Sequence, residues 1–178
     1  MGKMRGVLLG TALCCCREDL TRGLISKADG TQWDIKRIEA GMNPIVQLER
    51  TGCGIASVAV LAGVSYVQAK RMANRLGIFA ADPKLWSETG CVRRLLKECG
   101  IRSARTEVPF TSWEALPDCA LLAVKWHKER DRAFWHWVVF WRGPCGPAVL
   151  DSKRVLRRHV RTDFGRMKPK WFIPVRPT

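Results

Sequence analysis

Acidic residues are scarce in this sequence. Sixteen Asp and Glu stand against 31 Lys and Arg over 178 residues, a formal net charge of +15. The resulting positive field attracts acidic partners, nucleic acid or anionic lipid, and charge alone does not choose among them. The closely paired cysteines of a zinc site are missing as well. Apart from the run Cys14, Cys15 and Cys16, the cysteines (Cys53, Cys91, Cys99, Cys119 and Cys145) are scattered, so no structural metal is expected. Long hydrophobic runs are also lacking. Lys3 and Arg5 precede an apolar stretch at residues 7–13 that imitates a signal peptide, but it is too short to span a bilayer and contains Gly10. Cys14 follows Leu13 rather than the small residue that precedes a lipidated cysteine. No transmembrane segment is therefore expected, and no ATP-binding or nucleic-acid motif is found.

Apolar residues make up 47% of the chain and include eight Trp, enough side-chain volume for a folded core without disulfide staples. Free thiols in a reducing cytoplasm are the expectation. Residues 1–41 read as an extension, disordered or not translated, because polar residues 17–40 lack sustained periodicity and Met42 offers a second start. Residues 42–178 are expected to form the folded domain. Its last 27 residues hold nine Lys/Arg against the single acid Asp163, a basic segment that suits either a solvated face or contact with an acidic partner or nucleic acid.

Within the domain, residues 55–62 are almost wholly apolar and stop at Gly63, which predicts a buried helix whose first turn contains Cys53. Ser65 caps a second predicted helix over residues 66–76, and a third covers residues 91–99, followed by Gly100. Residues 101–108, 120–126, 135–141 and 148–150 are short runs rich in β-branched and aromatic residues and predict strands of an antiparallel sheet. Helices first and strands second give an α+β fold, a helical layer packed on a sheet.

Cys53 lies at a helix start, where free backbone N–H groups and the helix dipole favour a thiolate. Flanking Gly52 and Gly54 leave the sulfur approachable. His136 sits in the strand run Trp135-His136-Trp137-Val138-Val139-Phe140, where a buried imidazole must find a partner. A hairpin turning at residues 143–146 would return Asp151 beside it, to fix the ring's tautomer. Gln47, six residues before Cys53, could offer a neutral amide to an oxyanion. Each residue has a plainer role available: a buried thiol, a structural histidine, a turn-capping aspartate and a solvated glutamine. Trp126, Trp135, Trp137 and Trp141 read chiefly as core, and His127 and His159 as solvent-facing.

The order Gln47, Cys53, His136, Asp151, with Cys53-Gly-Ile-Ala opening a helix and His136-Trp-Val-Val on a strand, resembles the bacteriocin-processing, double-glycine leader peptidases. These are papain-like cysteine peptidase domains attached to many peptide-exporting transporters, and the resemblance spans roughly residues 43–152. It implies a papain-like fold and peptide hydrolysis through an acyl-enzyme thioester. Cys53 would be the nucleophile, His136 the general base, Asp151 its orienting group and Gln47 part of the oxyanion hole, with no cofactor. Cleavage after Gly-Gly in a leader peptide is the family default. The chain departs from the pattern at Gly52, where the family commonly has aspartate, and at Ser152, where proline is usual. Two alternatives stand beside this reading: a non-enzymatic peptide- or nucleic-acid-binding module, and an acyl transferase using the same residues.

Overall fold

The computed structural model describes residues 42–176; the expected extension at residues 1–41, with its signal-like run and Cys14, Cys15 and Cys16, lies outside the described residues. The architecture is α+β. Four helices come first: α1 (Cys53–Ala62), α2 (Tyr66–Arg75), the short α3 (Lys84–Ser87) and α4 (Thr89–Glu98). Strands follow as β1 (Arg102–Ser103), β2 (Val108–Pro109), β3 (Cys119–Glu129), β4 (Arg132–Gly143), β5 (Gly146–Leu150), β6 (Val160–Arg161) and β7 (Pro169–Arg176). They form one sheet in the order β1-β7-β3-β4-β5-β6, with β2 beside β1 on β7 and every pairing antiparallel.

Helix α1 is apolar on all sides because it is surrounded. Every residue from Cys53 to Leu61 is buried, and the helix packs on β4, α2, α3 and α4. Gly63 ends it in the left-handed conformation (φ 59°). Ser65 caps α2 through a reciprocal box with Gln68.

Strand β4 is buried on both faces, which explains why its sequence is apolar almost without interruption. Trp137 and Val139 join Leu121, Leu150 and Ile173 under the helices. Val138 and Phe140 join Leu122, Val149 and Phe172 on the other face, where Phe110, Trp113 and Phe164 cover them. Trp135 and Trp137 are core, as expected, whereas Trp126 is 39% exposed beneath the Lys170 ammonium.

Two sequence expectations need correction. Residues 101–108 do not form one strand: β1 and β2 are separate two-residue pairings on β7, beginning at Arg102↔Arg176 and Val108↔Phe172. The basic C-terminal segment is not a tail. Its last part is β7, which pairs with β3 from Val124↔Pro169 to Ala120↔Pro174 and sits inside the sheet. The charges of Lys170 and Arg176 flank buried Phe172, Ile173 and Val175, so a basic composition hid a core strand. The charged stretch at residues 127–132 forms the hairpin end of β3 and β4, which stay paired through His127↔Phe134 to Glu129↔Arg132.

Among the described residues no single helix is long and apolar enough to cross a membrane, and no group of three or more His, Cys, Asp or Glu is placed to hold a metal ion.

Candidate active site

The site forms where the start of α1 meets the interior of β4 and the end of β5. His136 Nε2–H donates to Asp151 Oδ1 at 2.7 Å, and the Cys53 thiol lies near enough to the same imidazole to act on its protonation. Three residues separated by as many as 98 positions thus meet through one ring: the thiol on one side and the carboxylate on the other. Asp151 is anchored in turn. Its Oδ2 accepts from Arg161 Nη1 at 3.1 Å, and its Oδ1 also accepts from the Lys153 backbone N–H at 3.1 Å. Arg161 is itself held by Asp163, through Nε at 2.9 Å and Nη2 at 2.8 Å.

Burial opposes charge on both members of the His136–Asp151 pair, and their mutual attraction overrides it. Desolvation alone would lower the His136 pKa, but hydrogen bonds and charge from Asp151 and Cys53 raise it to about 9. Desolvation would raise Asp151, but His136, the Lys153 N–H and Arg161 hold it down at about 2. Cys119 shows the contrasting case. Burial, with the charge of Asp118 adding, pushes its thiol up to about 12, which makes it an inert core group.

These shifts predict a pH window. Stability from His136 is fully present below its unfolded value of 6.5 and is lost as pH rises through about 9. Stability from Asp151 is present above 3.8 and lost as pH falls toward about 2. Urea denaturation at stepped pH is expected to show a loss on the order of 3 kcal/mol between neutral pH and the alkaline side of the His136 titration. In His136→Ala that alkaline decline should be absent; a decline of unchanged size would assign it to other groups.

Gln47 also reaches the site, but as a brace. Its Nε2 donates to Glu49 O (2.9 Å) and Arg50 O (2.8 Å), which uses both amide hydrogens. Its Oε1 accepts from Ser152 Oγ at 2.9 Å, and its backbone N–H donates to Ser152 O at 2.9 Å. These bonds tie the loop leading into α1 to the residue after Asp151. An oxyanion role for Gln47 would require one of its amide hydrogens to be released. Free donors exist nearby: α1 begins at Cys53 with no side-chain cap, leaving its first-turn N–H groups without helical partners.

The glycines beside Cys53 serve packing rather than access. A Cβ on Gly52 would meet the Tyr66 hydroxyl, which also bonds the Glu49 carboxylate, so the aspartate expected from the family pattern does not fit here. A Cβ on Gly54 would come within 2.8 Å of Val92 Cγ2 and 3.4 Å of the Trp137 ring. Cys53 itself is 0% exposed, so the expectation of an approachable sulfur is not met in this closed arrangement.

Beside His136 lies a cleft of about 280 Å³ with Trp86, Phe134 and Trp135 on its apolar side and Arg50, Lys125 and Lys153 among its charged residues. Trp135 Nε1 is buried there with no hydrogen-bond partner. A larger hollow of about 610 Å³ between α4 and β1 includes none of the four expected site residues. His127 is exposed as expected and stacks on Phe134 at the cleft. His159 departs from expectation: it is half-buried, and its Nδ1–H donates to Asp151 O at 2.8 Å. Arg161 was hidden among nine basic residues, and only Asp163 two positions later sets it apart. No protein-family model matches the chain, and no curated protein matches it.

Proposed function

We propose that this protein is a cysteine peptidase of papain-like fold that cleaves peptide bonds through a Cys53 acyl-enzyme. The observation that carries the reading is the His136 ring, hydrogen-bonded to Asp151 on Nε2 and near the Cys53 thiol. His136 takes the thiol proton and stays protonated beside the thiolate. The thiolate attacks the peptide carbonyl, and the Cys53 backbone N–H receives the developing oxyanion. The imidazolium then protonates the leaving amine, and water activated by the neutral ring hydrolyses the thioester. Asp151 holds the ring orientation and stabilises its charge, and Arg161 positions Asp151. The apolar cleft walls suit an extended peptide. Cleavage after Gly-Gly remains the specificity proposed from the family resemblance, and a cytoplasmic location is proposed with it.

Two observations favour a second reading, a non-catalytic peptide-binding module: Cys53 is fully buried and the Gln47 donors are occupied. Thiol alkylation separates the two. Under the peptidase reading, iodoacetamide labels Cys53 in the wild type about 100-fold faster than in His136→Ala, because removing the base removes the thiolate. Peptide mapping identifies the labelled cysteine. Equal, slow labelling in both proteins would sink the peptidase reading and leave the binding module.

A further inference from the structure

The ladder between β3 and β4 breaks at one place, and the break faces the site. Val124 pairs with His136 and His127 with Phe134, so Lys125 and Trp126 together oppose the single residue Trp135. This is a β-bulge, and Lys125 adopts a left-handed backbone conformation (φ 55°) that a non-glycine residue rarely takes. Lys125 thereby joins His136 in lining the cleft.

Lys153 follows Asp151 into the same cleft. Its backbone N–H is fixed on Asp151 Oδ1 at 3.1 Å. The side chains of Lys125 and Lys153 line one cleft, and the charge of Lys153 acts on Lys125. Burial and the charges of Lys153 and Arg161 lower the Lys125 pKa, and only Asp151 opposes them.

Two cations at one cleft favour an anion between them, and the carboxylates nearby are engaged with other groups. Asp151 is 1% exposed and already shared by His136 and Arg161. Glu129, the remaining carboxylate at the cleft, lies 3.2 Å from His127 Nε2. Arg50 adds a third positive charge, positioned over the Trp86 ring at 5.6 Å. A ligand entering here meets an apolar wall on one side and unneutralised ammonium groups on the other.

We infer that the cleft beside His136 is a subsite for a carboxylate of the bound peptide, held between Lys125 and Lys153. The ligand class rests on the peptidase reading, while the charge argument rests on the cleft alone. The acidic group is read by two ammonium groups as point charges, so Asp, Glu or a free C-terminus would each fit the chemistry. The peptide's apolar atoms lie on Trp86, Phe134 and Trp135.

The test is fluorescence anisotropy with the inert Cys53→Ala protein, whose peptide binding does not depend on turnover. Probes are labelled, C-terminally amidated short peptides of Gly, Ala and Leu in which a single Glu is walked along the chain, each matched with its Gln counterpart. A further Gln peptide carries a free C-terminus. At one position Glu is expected to bind about tenfold tighter than Gln, and an advantage for the free C-terminus would instead assign the subsite to a terminal carboxylate. Adding Lys125→Gln and Lys153→Gln should reduce that advantage to under about twofold. Lys125→Arg with Lys153→Arg should keep it. Equal binding of all matched peptides, or an advantage that survives the glutamine variants, would overturn the subsite. The peptidase reading fails separately, if Cys53 alkylation in the wild type is indifferent to His136→Ala.

Discussion

Asp151→Ala is expected to cost about 3–5 kcal/mol of stability, among the largest losses from any single polar substitution in this protein. The carboxylate is 1% exposed and serves three partners: the His136 ring, Arg161 and the Lys153 backbone N–H. Its removal leaves a buried imidazole without an acceptor and the Arg161 guanidinium with Asp163 alone. Urea denaturation measures the loss. Asp151→Asn separates geometry from charge, because an amide oxygen can still accept the His136 Nε2–H. In that variant the His136 pKa should fall from about 9 toward its ordinary value of 6.5, read by NMR titration of the ring. The alkaline limb of any peptide hydrolysis should move down with it, since the imidazolium protonates the leaving amine. A pKa that stays near the wild-type value would assign the shift to Cys53 rather than Asp151.

The second large effect concerns the seat of α1. Trp137 is the largest fully buried side chain. Its ring packs edge-on against Trp135 and Trp171, and its Nε1–H donates to Leu85 O at 3.3 Å. It also lies where a Cβ on Gly54 would come within 3.4 Å. Trp137→Ala therefore removes the surface on which the Cys53 end of α1 rests. A loss of about 4 kcal/mol is expected from the cavity and the lost contacts. The damage should extend to function: Cys53 alkylation should slow even where the variant remains folded, because thiol and ring no longer share a fixed separation. A stability change under about 1 kcal/mol would show that neighbouring tryptophans refill the space.

Much of the fold is legible in the chain because local signals agree with burial. The apolar run after Cys53, the Ser65–Gln68 cap and the glycines at 63, 77 and 100 mark the helices through short-range chemistry. The aromatic and β-branched run at residues 135–141 marks β4. The strand that composition conceals is β7, because charge and proline dominate there while pairing decides. Strand β7 carries Pro169, Pro174, Lys170 and Arg176, yet β3 and β1 hold it inside the sheet. Propensity describes a residue's own preference, whereas a strand's existence depends on the partner beside it.

The candidate site divides along the same line. Sequence order alone determined that a thiol would open a buried helix, that an imidazole would lie on a strand, and that an aspartate would follow the next strand. Tertiary structure decided how they meet. The Gln47–Ser152 bridge registers the α1 loop against β5, and the sheet brings Arg161 onto Asp151. It also closed Cys53 from solvent and turned Gln47 inward onto the loop carbonyls. Hydrogen-bond commitments and burial are properties of the assembled neighbourhood, so no local pattern encodes them. The bulge that brings Lys125 into one cleft with Lys153 belongs to the same class, because its position is set by the register of two paired strands.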